Sequence, residues 1–166
     1  MKRLLAAAFA ALLVHDVAAA ELPAPEGAVV LTVTGAIANG QSEGTAAFDL
    51  KALEALEGRS GTMETPWTPG KVTFSGPLLR AVLAAVGAHG KTIRLVALND
   101  YAADIPVEDA TEFATILATR MDGKLMSVRD KGPVFLIYPF DQNPALYNEK
   151  YFSRSVWQIK ELKVLE

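Results

Sequence analysis

The stretch GPLLRAVLAAVG, residues 76–87, is the strongest secondary-structure signal in the chain. Pro77 stands where the first turn of a helix would lie, and Gly87 follows directly after the last apolar residue. Proline is favoured in the first turn of a helix and glycine just past its end, so this stretch predicts an α-helix.

Strands and shorter helices are predicted on both sides of this helix. β-branched and apolar runs predict strands at residues 28–34, 92–98, 134–138 and 156–165. A helix is predicted over residues 49–56, with Asp49 as its N-cap and Gly58 ending it, and another over residues 144–152. Residues 113–121 suit a strand or a short helix, and Asp122-Gly123 predicts a hairpin turn after them. The elements together predict one α+β domain over residues 28–166, with a mixed sheet and short flanking helices.

Composition excludes several classes of protein. The 166 residues are 51% hydrophobic and include no cysteine, which rules out disulfides, thiolate metal ligands and a cysteine nucleophile. The net charge of -3 and the lack of a Lys/Arg run argue against a nucleic-acid surface.

The N-terminus has the pattern of a signal peptide. Met1-Lys2-Arg3 is followed by an apolar run from Leu4 to Val14 and by Ala18-Ala19-Ala20. The run is shorter than the ~20 residues that span a membrane, so we expect cleavage after residue 20 and a periplasmic or secreted protein. Pro23 and Pro25 then predict an extended leader over residues 21–27.

Few residues can be identified as candidate catalytic or ligand-binding residues from the sequence pattern alone. Asn99-Asp100-Tyr101 follows a predicted buried strand, where a ligand loop or an ordinary turn is equally expected. Residues 127–133 are either part of a site or a solvated loop. Trp67 and Trp157 suit a core as well as a binding site, and no hydrolase, zinc-protease, P-loop or dinucleotide motif is present.

Several segments taken in order resemble the oxidoreductase molybdopterin-binding domain of the sulfite oxidase superfamily. These segments are residues 72–79 (VTFSGPLL), 97–101 (ALNDY) with Ile105-Pro106, 121–124 (MDGK), 131–133 (KGP) and 153–157 (SRSVW). The resemblance spans about residues 65–165 and implies a sulfite oxidase-like α+β fold that cradles a pterin.

The sequence departs from that family at the metal ligand. Sulfite oxidases hold molybdenum with a cysteine that precedes the segment resembling residues 72–79, and residues 58–67 contain none. The chain therefore looks like the small exported members that bind a reduced pterin instead of the molybdenum cofactor. Such relatives act as periplasmic partners of membrane-bound enzymes that make or degrade cyclic-di-GMP.

The chemistry of a pterin assigns candidate roles to residues in these segments. Its exocyclic amino group and the neighbouring ring N–H form a paired donor edge that a carboxylate can accept, with Asp100 or Asp104 as candidates. The aromatic candidates for stacking are Tyr101, Trp67, Tyr138 and Trp157. Arg129 or Arg154 are candidate donors to the ring carbonyl, and the candidate set also includes Asn99, Lys131 and Ser155.

Three functions are compatible with the resemblance. The first is a non-catalytic, pterin-binding protein that presents its ligand state to the periplasmic domain of a membrane receptor. The second is a molybdopterin-dependent oxidoreductase with a non-cysteine metal ligand. The third is an interaction module whose cleft binds nothing.

Overall fold

A computed structural model describes residues 22–166, so the signal peptide predicted for residues 1–20 lies outside the described residues. Within residues 22–166 the fold contains eleven strands and four α-helices. The strands are β1 (Val29–Gly35), β2 (Thr45–Asp49), β3 (Gly58–Glu64), β4 (Lys71–Pro77), β5 (Thr92–Ala97), β6 (Ala102–Pro106), β7 (Ile116–Ala118), β8 (Arg120–Met121), β9 (Lys124–Leu125), β10 (Phe135–Ile137) and β11 (Ile159–Leu165). The helices are α1 (Leu50–Glu54), α2 (Leu79–Ala85), α3 (Glu108–Thr111) and α4 (Glu149–Arg154). The predicted α+β class is confirmed.

The largest sheet has five strands in the order β2-β1-β11-β5-β6 and is mixed, as predicted. β1 runs parallel to β11, with Thr32 opposite Glu161, and every other neighbouring pair is antiparallel. Alternate side chains of these strands point to one face, which forms much of the core. Its fully buried members include Leu31, Val33, Ile93, Leu95 and Leu162.

A four-stranded sheet, β3-β4-β8-β9, meets the two-stranded sheet β10-β7 at Gly76. A Cβ atom on Gly76 would lie 2.1 Å from the carbonyl oxygen of Leu117. Only a residue without a side chain lets β4 approach β7 this closely. One residue beyond β4, Leu78 makes a β-bridge to Ile116.

The predicted central helix is present as α2 but begins later than its proline suggests. Pro77 is the last residue of β4, and Leu78 is the N-cap of the helix. Leu79, Val82 and Leu83 lie on one face at helical spacing and are buried against the core. Gly87 follows the helix with φ +59°, a conformation that glycine adopts without strain.

Asp49 caps α1 as predicted and also ties down the chain before β1. Its carboxylate accepts the backbone N–H of Ala52 and those of Glu26 and Gly27, each at 2.8 Å. These hydrogen bonds, that of Ala52 first, lower the pKa of Asp49 below its usual value.

The end predicted for α1 is wrong. The helix stops at Glu54, because residues 55–57 turn the chain so that β3 can start at Gly58.

The helix predicted over residues 144–152 is divided into two. Pro144–Leu146 is a short 3₁₀ helix, and α4 starts afresh at Glu149 because Asn148 acts as its N-cap. The Asn148 side chain accepts the backbone N–H of Lys150 at 3.0 Å. The strand predicted from residue 156 begins only at Ile159, so Trp157 precedes β11 and is not part of it.

The hairpin around Asp122-Gly123 is confirmed, with Met121 opposite Lys124. Both turn residues have positive φ, which matches the tight turn predicted for Asp-Gly. The ambiguous residues 113–121 contain the strands β7 and β8, and the loop or turn expected at Asn99-Asp100-Tyr101 lies between β5 and β6.

Candidate functional site

The candidate site is a cavity of about 470 Å³ between Trp67, the turn that joins β5 to β6, and α4 with the residues that follow it. We call this cavity the aromatic cleft. Its volume lies within the range of about 300–1,000 Å³ that is typical of small-molecule sites. It is lined by Trp67, Ala97, Asn99, Tyr101, Glu149, Phe152, Ser153, Ser155, Val156 and Trp157.

Trp67 is the centre of the aromatic wall. Its ring makes edge-to-face contacts with Phe135, Phe152 and Trp157, at centroid distances of 5.5, 5.7 and 6.1 Å. Trp157 remains 39% exposed and Tyr101 53% exposed. The cleft therefore offers aromatic surface to a ligand while its back wall is anchored in the core.

Alternate residues of the turn between β5 and β6 lie on different sides of it, one of which faces the aromatic cleft. Asn99 and Tyr101 line the aromatic cleft, and the Asn99 side-chain oxygen accepts the backbone N–H of Tyr101 at 3.2 Å. Asp100 between them has φ +64° and its carboxylate accepts a hydrogen bond from Lys160 Nζ at 2.6 Å. That contact lowers the pKa of Asp100, whose side chain is 83% exposed and lies outside the cleft lining.

One face of α4 forms the opposite wall. Glu149, Phe152 and Ser153 are spaced by three and four residues, which places them on the same side of the helix. Among the described residues that line the aromatic cleft, Glu149 is the only one with a charged side chain.

A buried charge network holds α4 in place. The carboxylate of Asp109 in α3 accepts hydrogen bonds from the Tyr138 hydroxyl at 2.6 Å and from Arg154 Nη1 at 2.7 Å. Asp109 is 4% exposed and Tyr138 is fully buried. Burial, and secondly the hydrogen bond to Asp109, raise the pKa of Tyr138 far above its usual value, so it stays a neutral donor.

Five of the residues proposed from sequence are brought together in the aromatic cleft. They are Trp67, Asn99, Tyr101, Ser155 and Trp157. The Ser155 hydroxyl donates a hydrogen bond to the Tyr151 carbonyl oxygen at 2.8 Å. Ser155 therefore contributes mainly to the shape of the cleft.

The two aspartates proposed to meet the donor edge do not line the aromatic cleft. Asp100 faces Lys160, as described above. Asp104 lies on β6, where both its carboxylate oxygens accept hydrogen bonds from Arg94, at 2.7 and 2.8 Å. Arg94 lowers the pKa of Asp104 and holds it on the face of the large sheet.

The proposed basic residues and Tyr138 also lie outside the lining. Arg129 is exposed in a 3₁₀ helix over Val128–Asp130, and Lys131 ends that helix with φ +72°. Arg154, the last residue of α4, and Tyr138 both donate hydrogen bonds to the Asp109 carboxylate.

Sequence reasoning missed Glu149, Phe152 and Asp109. Asn148-Glu149 is an N-cap followed by an acid, a usable signal that the longer helix predicted over residues 144–152 concealed. Asp109 has the pattern of an ordinary acid in a first helical turn, and nothing local distinguishes it.

Residues 22–166 contain no group of three or more His, Cys, Asp or Glu side chains arranged to hold a metal ion. Over the same range, no helix has both the length and the apolar character needed to cross a membrane.

Comparison with known proteins identifies a family for most of the chain. The family model described as the oxidoreductase molybdopterin binding domain matches residues 39–164, well over half of the sequence. This range includes every residue that lines the aromatic cleft. No curated protein matches the chain.

Proposed function

The chain belongs to the oxidoreductase molybdopterin-binding domain family, and from that premise we propose that its aromatic cleft binds a reduced pterin without catalysing a reaction. In this proposal the protein is exported and presents its ligand state to a membrane signalling partner, such as an enzyme of cyclic-di-GMP metabolism.

The observation that carries the proposal is the composition of the aromatic cleft. A pterin is a flat bicycle with polar edges, and it needs aromatic surface for its faces and hydrogen-bonding groups at its rim. Trp157 and Tyr101 offer exposed aromatic surface, while Asn99 and Glu149 provide polar groups. About 470 Å³ is enough room for a ring system of this kind.

The residues that line the aromatic cleft are suited to the pterin ring of the family's cofactor, and less suited to its phosphate and its metal. Molybdopterin carries a phosphate, yet no Lys or Arg is among the described residues that line the aromatic cleft. The sequence has no cysteine to supply a thiolate to molybdenum. We therefore propose a pterin without phosphate or metal as the ligand.

Two further observations, separate from the aromatic cleft, support the proposed export and the proposed membrane partner. The N-terminal sequence has the pattern of a cleaved signal peptide, which favours the periplasm or secretion. Beside Asn99, Leu98 faces the other side of the β5–β6 turn and lines a groove of about 530 Å³ with Val29 and Val128. These three apolar side chains are 45–52% exposed, as at protein interaction sites.

The family description also favours a second candidate, a molybdopterin-dependent oxidoreductase. With no cysteine in the chain, the protein could not supply a thiolate ligand to its metal. Metal content separates the two functions, because only the oxidoreductase requires stoichiometric molybdenum.

Titration with tetrahydropterin tests the proposed site. We expect Trp157→Ala to weaken binding about tenfold or more, since stacking on an aromatic side chain contributes roughly 1–3 kcal/mol per base. Trp157→Phe should recover part of the affinity because it restores an aromatic face. Calorimetry under anaerobic conditions measures each dissociation constant.

Leu125→Ala is the control, because Leu125 is 51% exposed on β9 and does not line the aromatic cleft. It should bind like the parent protein. Equal affinity in the parent and in Trp157→Ala would move the site elsewhere, and a parent that binds no tetrahydropterin would refute the proposed function.

A further inference from the structure

Glu149 occupies a distinctive electrostatic position in the aromatic cleft. It is the first residue of α4, it is exposed, and it lines the cleft together with Phe152 and Ser153. Within residues 22–166 its carboxylate takes part in no side-chain hydrogen bond and no salt bridge, unlike that of Asp100 or Asp104. The carboxylate is therefore free to accept hydrogen bonds from a ligand.

The basic residues on the same helix have other partners. Lys150 Nζ lies over the Tyr151 ring, 5.1 Å from its centroid. Arg154 donates a hydrogen bond to Asp109 at 2.7 Å and does not line the cleft. The charge of Glu149 is thus not neutralised by a cation in the lining of the cleft.

A carboxylate has two acceptor oxygens and no donor. It forms its strongest neutral-ligand contact with two parallel N–H groups, one to each oxygen. It repels a carbonyl oxygen or an anion presented at the same place. When a flat ring stacks on the aromatic wall, it also displaces water from around the carboxylate, which strengthens these preferences.

We infer that Glu149 determines ligand specificity by accepting the exocyclic amino group and the adjacent ring N–H of an aminopyrimidinone ring. This inference rests on the proposed function and refines it, because it selects pterins over flat heterocycles of the same size. It also replaces Asp100 and Asp104 as the acid at the donor edge.

A matched pair of ligands tests the inference. Tetrahydropterin and tetrahydrolumazine share one bicycle and differ in the group on the carbon between the two pyrimidine nitrogens, which is amino in the first and carbonyl oxygen in the second. The parent protein should bind tetrahydropterin about tenfold or more tightly, because the carbonyl faces the carboxylate without a hydrogen bond.

Glu149→Gln is the decisive variant, since it keeps the size of the side chain but replaces one acceptor oxygen with an N–H donor. We expect about a tenfold loss of affinity for tetrahydropterin, a gain for tetrahydrolumazine and hence a loss of the preference. Glu108→Gln is the control, because Glu108 also begins a short helix but lies outside the aromatic cleft. Far-UV circular dichroism and thermal melting verify that each variant is folded.

The outcomes separate this inference from the proposed function. If the parent binds tetrahydropterin and Glu149→Gln keeps both the affinity and the preference, then Glu149 has no role in specificity while the pterin site stands. If the parent binds neither compound, both the inference and the proposed function are refuted.

Discussion

Asp109→Ala is expected to lower the free energy of unfolding by about 3 kcal/mol, because it removes one partner of a buried ion pair. The substitution leaves Arg154 without its carboxylate and the fully buried Tyr138 hydroxyl without an acceptor. Loss of one partner from a buried ion pair typically lowers the free energy of unfolding by about 3–5 kcal/mol. We expect a loss at the lower end of this range, because the Arg154 side chain is 23% exposed and water can partly solvate its charge. Urea denaturation followed by circular dichroism measures the change.

Asp104→Ala is the matched control for this effect. Asp104 pairs with Arg94 through two hydrogen bonds, but both side chains are close to half exposed. An exposed pair contributes only about 0–1 kcal/mol. Similar losses in the two variants would show that the network around Asp109 does not hold α4 against the core.

Phe135→Ala is expected to destabilise the fold by about 3–5 kcal/mol and to abolish the shape of the aromatic cleft. Phe135 is fully buried on β10 and contacts Phe74, Trp67 and Trp157 at centroid distances of 5.9, 5.5 and 6.0 Å. Its removal leaves a cavity directly behind the two tryptophans. Urea denaturation gives the stability, and tetrahydropterin titration gives the loss of binding.

Phe135→Leu separates packing from aromatic support. It retains most of the buried volume, so the cost should stay below roughly 1.5 kcal/mol and the protein should remain folded for titration. A loss from Phe135→Ala no larger than that from Phe135→Leu would contradict the role of Phe135 as the support of the cleft wall.

The parts of the fold that were predictable from sequence depend on local chemistry. The N-cap at Asp49, the apolar face of α2 and the Asp122-Gly123 turn each follow from residues that are close in the chain. The boundaries around Pro77 were not predictable in this way, because β4 extends through Pro77 by pairing with Gly58 in β3.

The candidate site was only partly predictable because its ion pairs join distant segments. Asp100 is turned from the aromatic cleft by Lys160, which lies 60 residues further along the chain. Arg154, the last residue of α4, donates its hydrogen bond to Asp109, 45 residues before it, and does not line the cleft. The family resemblance indicated Trp67, Tyr101 and Trp157, but that Glu149 lines the cleft and Asp100 does not is seen only in the three-dimensional arrangement.

We propose that the aromatic cleft holds a pterin and no metal, and protein purified under native, anaerobic conditions from its own host gives the most direct test. Mass spectrometry of the released small molecules and elemental analysis are made on the same sample. We predict about one reduced pterin per chain, in keeping with the one aromatic cleft described within residues 22–166, and no stoichiometric molybdenum. Protein that carries no pterin, or that carries about one molybdenum atom per chain in molybdopterin, would contradict the claim and in the second case favour the oxidoreductase.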